Sequence, residues 1–345
     1  MPELRRDPVT REWVIIATER SRRPHDFRRS EANSTPKPEW LPSCPFCPSN
    51  ESQTPPEICA FREAGSQPDT PGWWVRTVPN KYPALSTEGE LSRRGFGIYD
   101  VMNGVGAHEV IIETPRHDLH PATMPVDQWQ EVIWMYRERA LDLQRDPRFK
   151  YVLLFRNHGK TAGASLEHPH SQLVALPMVP MDVQLKLDGI ARYYDYRERC
   201  IYCDMLYQES AFGKRVVLEN EHFLVFTPFA SRFPFEICIL PKRHAAHFAN
   251  EPSEVLQAFA AILQEVLKRL YHLLDDPPYN YMIHTAPINL EREVLFHWHL
   301  VLVPRLSIPA GFEMGTGIYI NITAPEEAAE HLRNIGSVAD EHQQA

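Results

Sequence analysis

Residues 157 to 172 read Asn-His-Gly-Lys-Thr-Ala-Gly-Ala-Ser-Leu-Glu-His-Pro-His-Ser-Gln, and the rest of the chain is organised around them. Before them lies the apolar run Tyr151-Val-Leu-Leu-Phe155, and after them Leu173-Val-Ala-Leu176. Both runs read as buried strands. The segment between is a polar loop ending in two histidines separated by one proline. On a regular strand His168 and His170 share a face unless the proline bends the chain. Two imidazoles so close suit a division of labour, with one attacking phosphorus and the other ligating a metal beside it. A neutral imidazole is a competent nucleophile near pH 7 because its ordinary pKa is about 6.5. The loop from Asn157 to Ser165 offers backbone N–H groups and small side chains, which suit phosphate oxygens. Taken alone, His-Pro-His is equally an ordinary strand with two surface histidines, so the surroundings must decide.

The chain has 345 residues and a 43% apolar fraction, enough for a large core and about two domains. A net charge of -9 argues against extensive nucleic-acid binding, which needs a basic face. The first residues carry no apolar signal region, and no run of 18 apolar residues exists to span a membrane. A cytoplasmic protein is expected. Near the start, Glu12-Trp-Val-Ile-Ile16 reads as a strand, followed by Arg20, Arg22 and Arg23. That cluster is either a solvated turn or an anion clamp, since guanidinium groups match phosphate bidentately.

Two Cys-x-x-Cys pairs follow, Cys44/Cys47 and Cys200/Cys203. In a reducing compartment such a pair is a redox couple or half a zinc site. Proline and polar residues precede the first pair and no thioredoxin-like unit surrounds it, which favours zinc. Cys238, inside Phe235–Leu240, reads as core; Cys59 has no assignment.

The search for further ligands exposes an internal repeat. In the first half a strand, His108 to Glu113, leads into Thr-Pro-Arg-His117. A helix from Val126 to Leu143, the strand 151–155 and His168-Pro-His170 follow. In the second half Phe235 to Leu240 leads into Pro-Lys-Arg-His244. A helix from about Ser253, the strand Tyr279–Ile283 and His297-Trp-His299 follow. His117 and His168 are 51 residues apart, His244 and His297 53 apart, and each set has a Cys-x-x-Cys upstream. Two metal sites of one plan result: Cys44, Cys47, His117 and His168, and Cys200, Cys203, His244 and His297. Closed Cys2His2 sets are structural zinc sites with no open position for a reacting water. Two such zinc ions are the expected cofactors.

These pieces together resemble the galactose-1-phosphate uridylyltransferase family of the histidine-triad superfamily. The resemblance rests on Asp7-Pro-Val-Thr-Arg-Glu-Trp-Val-Ile with its arginines, Cys44-x-x-Cys47, Asn80-Lys-Tyr-Pro-Ala84, His117, residues 157–172, His297-Trp-His299 and Gly311-Phe-Glu-Met-Gly. It covers almost the whole chain. It implies an α+β, duplicated histidine-triad-like fold of two largely antiparallel sheets with packed helices. Residues 1–185 would form a catalytic N-terminal domain and 186–345 a C-terminal one. The implied chemistry is ping-pong nucleotidyl transfer from a nucleoside-diphosphate sugar to a sugar 1-phosphate, of the UDP-glucose plus galactose 1-phosphate type. His170 would be the nucleophile and Gln172 would bond the phosphoryl oxygens. Asn157 and Ser165 would hold the diphosphate. Arg20 and Arg23 would bind substrate phosphate across a homodimer interface, Asn80 belongs to a matching substrate motif, and Phe312 and Glu313 would contact the sugar.

Three departures qualify the substrate. Ser171 replaces the family's glycine, Ile320 loosely aligns with a sugar-binding glutamine, and the second Cys-x-x-Cys resembles an adenylyltransferase branch. That branch acts on ADP-glucose with inorganic phosphate as acceptor, and it is the alternative activity. A non-catalytic zinc-stabilised nucleotide-binding protein is the further alternative. In the second half, His299 takes the nucleophile's place without the Asn…Gly…Ser loop, so that half is expected to be a scaffold. Pro325 to Ile335 reads as a short helix.

Overall fold

The computed structural model describes residues 1–20, 24–27 and 37–343, with the backbone alone for residues 20, 25 and 336–343. In chain order the strands and helices are β1 (Glu3–Arg6), β2 (Trp13–Ile16), β3 (Cys59–Arg62), β4 (Trp73–Pro79), β5 (Arg94–Phe96), β6 (Tyr99–Val101), β7 (Ala107–Ile112), α1 (Val126–Leu143), β8 (Tyr151–His158) and β9 (His170–Leu176). Then come α2 (Met181–Arg197), α3 (Ile201–Phe212), β10 (Val216–Glu219), β11 (Phe223–Phe226), β12 (Ile237–Pro241), α4 (Ser253–Leu274), β13 (Tyr279–His284), β14 (His299–Pro304), α5 (Gly311–Thr316), β15 (Tyr319–Asn321) and α6 (Pro325–Gln343). The two long helices begin where the apolar periodicity places them. The last one runs to Gln343, beyond the expected end at Ile335.

The expected duplication is present. The main sheet has the order β10-β11-β12-β14-β13-β8-β9-β7-β4-β3, and every pairing in it is antiparallel. Read outward from its centre, each half repeats one plan: β8, β9, β7, β4, β3 on one side and β13, β14, β12, β11, β10 on the other. The two five-stranded half-sheets do not stand apart. They join edge to edge through β8 and β13 in the register Tyr279↔His158 to Ile283↔Leu154. Pairing the two inner edges protects strands that would otherwise be open to association.

Strand alternation separates the two faces. On β9, Ser171, Leu173 and Ala175 are fully buried, while Gln172, Val174 and Leu176 on the other face are only half-buried. The buried face carries α1 and α4, whose apolar stripes include Trp129, Val132, Ile133, Phe259, Leu263 and Leu267. At about 25 cal/mol per Å² of buried apolar surface, this layer supplies the main driving force for folding. Ser171 points into it, so the departure from glycine lies on the face opposite Gln172. Cys238 is 5% exposed in β12, core as expected. Cys59 lies on β3 with Sγ 3.5 Å from Met135 Sδ.

A buried polar network joins the halves beneath the sheet. Arg156 of β8 and Glu113 are 2% and 0% exposed and form an ion pair. Tyr136 of α1 donates to Glu113 Oε1 at 3.2 Å and meets Tyr281 of β13 at 2.7 Å. The N-terminal strands β1 and β2 lie outside the main sheet, and β2 pairs with β15, so the start of the chain is tied to its end.

Candidate nucleotidyl-transfer site and metal centres

Residues 44–47 form a tight turn, with Cys47 N–H donating to Cys44 O at 3.2 Å, which brings both thiols to one side. The chain after β7 returns with His117, and the turn before β9 presents His168. Cys44 Sγ lies 3.6 Å from His168 Nδ1, and Cys47 Sγ lies 3.7 Å from both His117 Nδ1 and His168 Nδ1. Tetrahedral zinc with bonds of about 2.3 Å to sulfur and 2.05 Å to nitrogen sets those pairs about 3.6 Å apart. His168 Nε2 donates to Thr114 O at 2.7 Å, which leaves the Nδ1 lone pair for a metal. The second set repeats the plan. Cys203 Sγ lies 3.5 Å from His244 Nδ1 and 3.7 Å from His297 Nδ1, and His297 Nε2 donates to Pro241 O at 3.0 Å. All four ligand atoms of each set fall within 4.8 Å of one another. Both sets fit a closed zinc site, as the spacing implied.

His170 is the first residue of β9, and His168 lies just outside the strand. Alternation therefore does not govern the pair, and the two rings diverge in role. His170 Nδ1 donates to His168 O at 2.8 Å. This fixes the tautomer and leaves the Nε2 lone pair free. Burial pushes the His170 imidazolium below its ordinary range, so the ring is neutral near pH 7. Phe46, between the two metal-site cysteines, packs edge-on against it at 5.3 Å.

Gln172 stands two residues along the same face and opposite Phe155 of β8; that register carries Asn157 towards His170. Asn157 Oδ1 accepts from Asn280 Nδ2 at 2.8 Å. The loop from Gly159 to Gly163 turns in a short 3-10 segment with φ of 78° and 91° at the two glycines, backbone that other residues adopt only under strain. Ser165 is exposed at its end. Asn80 closes β4, and its Oδ1 accepts from Tyr82 N–H at 2.9 Å. Its Nδ2 lies 3.1 Å from His108 Nε2, which lies 2.8 Å from Gln172 Oε1. His108 Nδ1 accepts from Ala84 N–H at 3.3 Å, so Nε2 carries the proton and donates to Gln172 Oε1, with the Asn80 side chain packed beside it. Sequence reasoning passed over His108 and Asn280. Their signal was a polar residue set among the apolar ones of a strand.

Phe312 and Glu313 sit on α5, where Glu313 accepts from the Ala310 N–H at 2.9 Å and caps its own helix. Phe312 is 45% exposed. Among the described residues neither shares a hydrogen bond or ring contact with the His170 group. Ile320 lies in β15 opposite Ile15. Arg22 and Arg23 lie outside the described residues, as does the side chain of Arg20.

The second half keeps the histidine and loses the amides. His299 begins β14, and its Nδ1 donates to His297 O at 3.0 Å, as in the first half. Two residues on stands Val301 where the first half has Gln172, and His284 lies opposite His299. A cavity of about 240 Å³ over this face is roofed by residues 7–12 and by α2, with Lys186 among its lining.

A third cluster lies at the C-terminal end of β8, where His158 follows Asn157 on the other face of the strand. His120 Nε2 and His158 Nε2 approach Asp276 Oδ1 at 2.8 and 2.7 Å. Ala122 N–H donates to His120 Nδ1 at 3.0 Å, so Nε2 carries the proton and has no lone pair for a metal. The cluster is a hydrogen-bonded bracket that ties β8 to the turn after α4.

Comparison with known proteins agrees with this geometry. The family model for the N-terminal domain of galactose-1-phosphate uridyl transferase matches residues 1–180. The chain belongs to the galactose-1-phosphate uridylyltransferase family. A domain of unknown function, DUF4921, also matches residues 105–343. Among family relatives, an ADP-glucose phosphorylase of Arabidopsis thaliana is 39% identical over 97% of this chain and 93% of its own length. A galactose-1-phosphate uridylyltransferase of Thermotoga maritima is 32% identical over 96% and 98%. In structure, the chain resembles the Arabidopsis thaliana ADP-glucose phosphorylase with bound ADP-glucose, with a TM-score of 0.81 at 36% identity and coverage of 96% and 99%. It also resembles a uridylyltransferase, with a TM-score of 0.74 at 27% identity and coverage of 98% and 99%.

Proposed function

We propose that this enzyme transfers a nucleoside monophosphate from a nucleoside-diphosphate sugar through a covalent adduct on His170. The observation that carries the proposal is the His170 tautomer, with Nδ1–H held by His168 O and Nε2 free on the accessible sheet face beside Asn157 and Gln172. The Nε2 lone pair attacks the α-phosphorus, the bond to the bridging oxygen breaks, and hexose 1-phosphate leaves. The Nδ1–H bond supports the positive charge that forms on the ring. Asn157, Ser165 and Gln172 donate to the phosphoryl oxygens, as fixed donors around a shifting charge. An oxygen of the acceptor then attacks phosphorus, and the imidazole departs unchanged. Zinc, when bound by Cys44, Cys47, His117 and His168, clamps the turn that precedes His170. The second zinc set does the same before His299, in a half that acts as scaffold because Val301 and His284 replace the donor amides.

The reading we favour takes ADP-glucose as donor and inorganic phosphate as acceptor. It is supported by the greater likeness to the ADP-glucose phosphorylase, by the second Cys-x-x-Cys and by Ile320. UDP-glucose with galactose 1-phosphate is the second reading, supported by the family match over residues 1–180. We infer a homodimer from the family resemblance, in which Arg20 and Arg23 would bind substrate phosphate across the interface. No described helix is long and apolar enough to cross a membrane. The six cysteines are all unpaired, which suits the reducing cytoplasm we assign.

Intact mass after separate incubation with ADP-glucose and UDP-glucose tests this. A gain of one AMP from the first alone supports the phosphorylase. A gain of one UMP from the second alone supports the uridylyltransferase. Absence of both adducts on zinc-loaded protein would overturn covalent transfer and leave the nucleotide-binding reading. His170→Ala must lose whichever adduct forms.

A further inference from the structure

We propose that Asn280, on β13 of the second half, is a positioning residue that fixes the polarity of the Asn157 amide. The inference rests on the nucleotidyl-transfer reading above, in which Asn157 must offer N–H groups to the phosphate.

An asparagine amide has a donor side and an acceptor side of nearly equal shape, so only its partners decide which way it faces. Asn280 stands opposite Asn157 where the two half-sheets join. Its Nδ2 donates to two oxygens, Ala162 O at 2.8 Å and Asn157 Oδ1 at 2.8 Å. The Ala162 group is a backbone carbonyl and can only accept. That carbonyl therefore fixes Asn280 with its NH2 group inward, and Asn280 in turn fixes Asn157 with its oxygen inward. The NH2 of Asn157 is then turned away, towards the glycine loop. Its position agrees: a β-carbon placed on Gly163 would lie 3.7 Å from Asn157 Nδ2. A one-way relay thus runs from a loop carbonyl, through a residue of the scaffold half, to a donor aimed at the phosphate position. Duplication then has a chemical consequence, because the catalytic half cannot orient this amide by itself.

The test is a double-mutant cycle on the rate of adduct formation, in single-turnover mixing with saturating ADP-glucose or UDP-glucose, whichever labels the wild type. Asn280→Asp keeps shape but offers only oxygens, so it turns Asn157 round and presents an oxygen to the phosphate. Losing one fixed donor of this kind costs about 10²- to 10³-fold in rate. We expect Asn280→Asp to slow adduct formation about 100-fold, and Asn280→Ala, which leaves Asn157 free to turn, to slow it less. In an Asn157→Ala background, Asn280→Asp should cost less than about 3-fold further, because its effect passes through the missing amide. Zinc content and melting temperature report on folding. A penalty in the Asn157→Ala background as large as in wild type would overturn the proposal, since Asn280 would then act on the loop through Ala162. So would Asn280→Ala slower than Asn280→Asp. Failure of the wild type itself to form an adduct would instead strike the parent reading.

Discussion

Glu113→Gln should lower the stability of the fold by a predictable amount. Arg156 and Glu113 are 2% and 0% exposed, so bulk water screens them little. Two unit charges about 2.8 Å apart at an effective dielectric of about 20 attract by roughly 6 kcal/mol. Glutamine keeps the shape and an acceptor oxygen, and a hydrogen bond from a charged donor recovers about 1.5–3 kcal/mol. The remaining loss, about 3–5 kcal/mol, is the range found when one partner of a buried pair is removed. For 345 residues the unfolding entropy is about 0.7 kcal/mol/K, so the melting temperature should fall by roughly 4–7 °C. The assay is calorimetry of zinc-loaded protein, with Arg145→Gln, an exposed cation, as reference. A shift under about 1 °C would refute the reasoning, because it would mean that desolvation already cancels the attraction in the native pair.

Zinc analysis should give about two ions per chain, falling to about one in Cys47→Ser and in Cys203→Ser; two ions retained in either variant would remove that residue from its ligand set. The acid limb of adduct formation should lie below pH 6.5, because burial lowers the His170 pKa and keeps the nucleophile neutral; a limb at or above 6.5 would contradict that environment. Stability should also fall as pH drops below about 6.5. His158, His170, His284 and His299 all have lowered folded pKa values, chiefly from burial. Below that pH the unfolded chain therefore binds protons the fold refuses, at up to about 1.4 kcal/mol per pH unit for each ring. Flat melting temperatures from pH 7 to 5.5 would count against buried neutral histidines. Gly159→Ala should slow adduct formation by at least about 10-fold, since φ there is 78° and the new β-carbon would lie 2.9 Å from Pro278 Cβ; unchanged rates would show that the loop can shift without loss.

Much of this protein is legible in its amino-acid order alone. The repeated order of Cys-x-x-Cys, Arg-His and a histidine pair predicts both ligand sets, because ligand spacing is a one-dimensional trace of a closed coordination shell. Apolar periodicity places α1 and α4, since a single buried stripe dictates a helix's inward residues. His170 is legible because its tautomer partner, His168 O, lies two residues away. What the tertiary structure alone decides are the contacts made across the sheet. That β8 pairs with β13, fusing two half-sheets into one, depends on matching two edges distant in sequence. The pairing of Asn280 with Asn157 follows from that seam, while long-range pairings inside the first half bring His108 to Gln172 and bury Arg156 against Glu113. No local pattern encodes such partners. Strand alternation says which face a residue occupies, and only register says what stands opposite it.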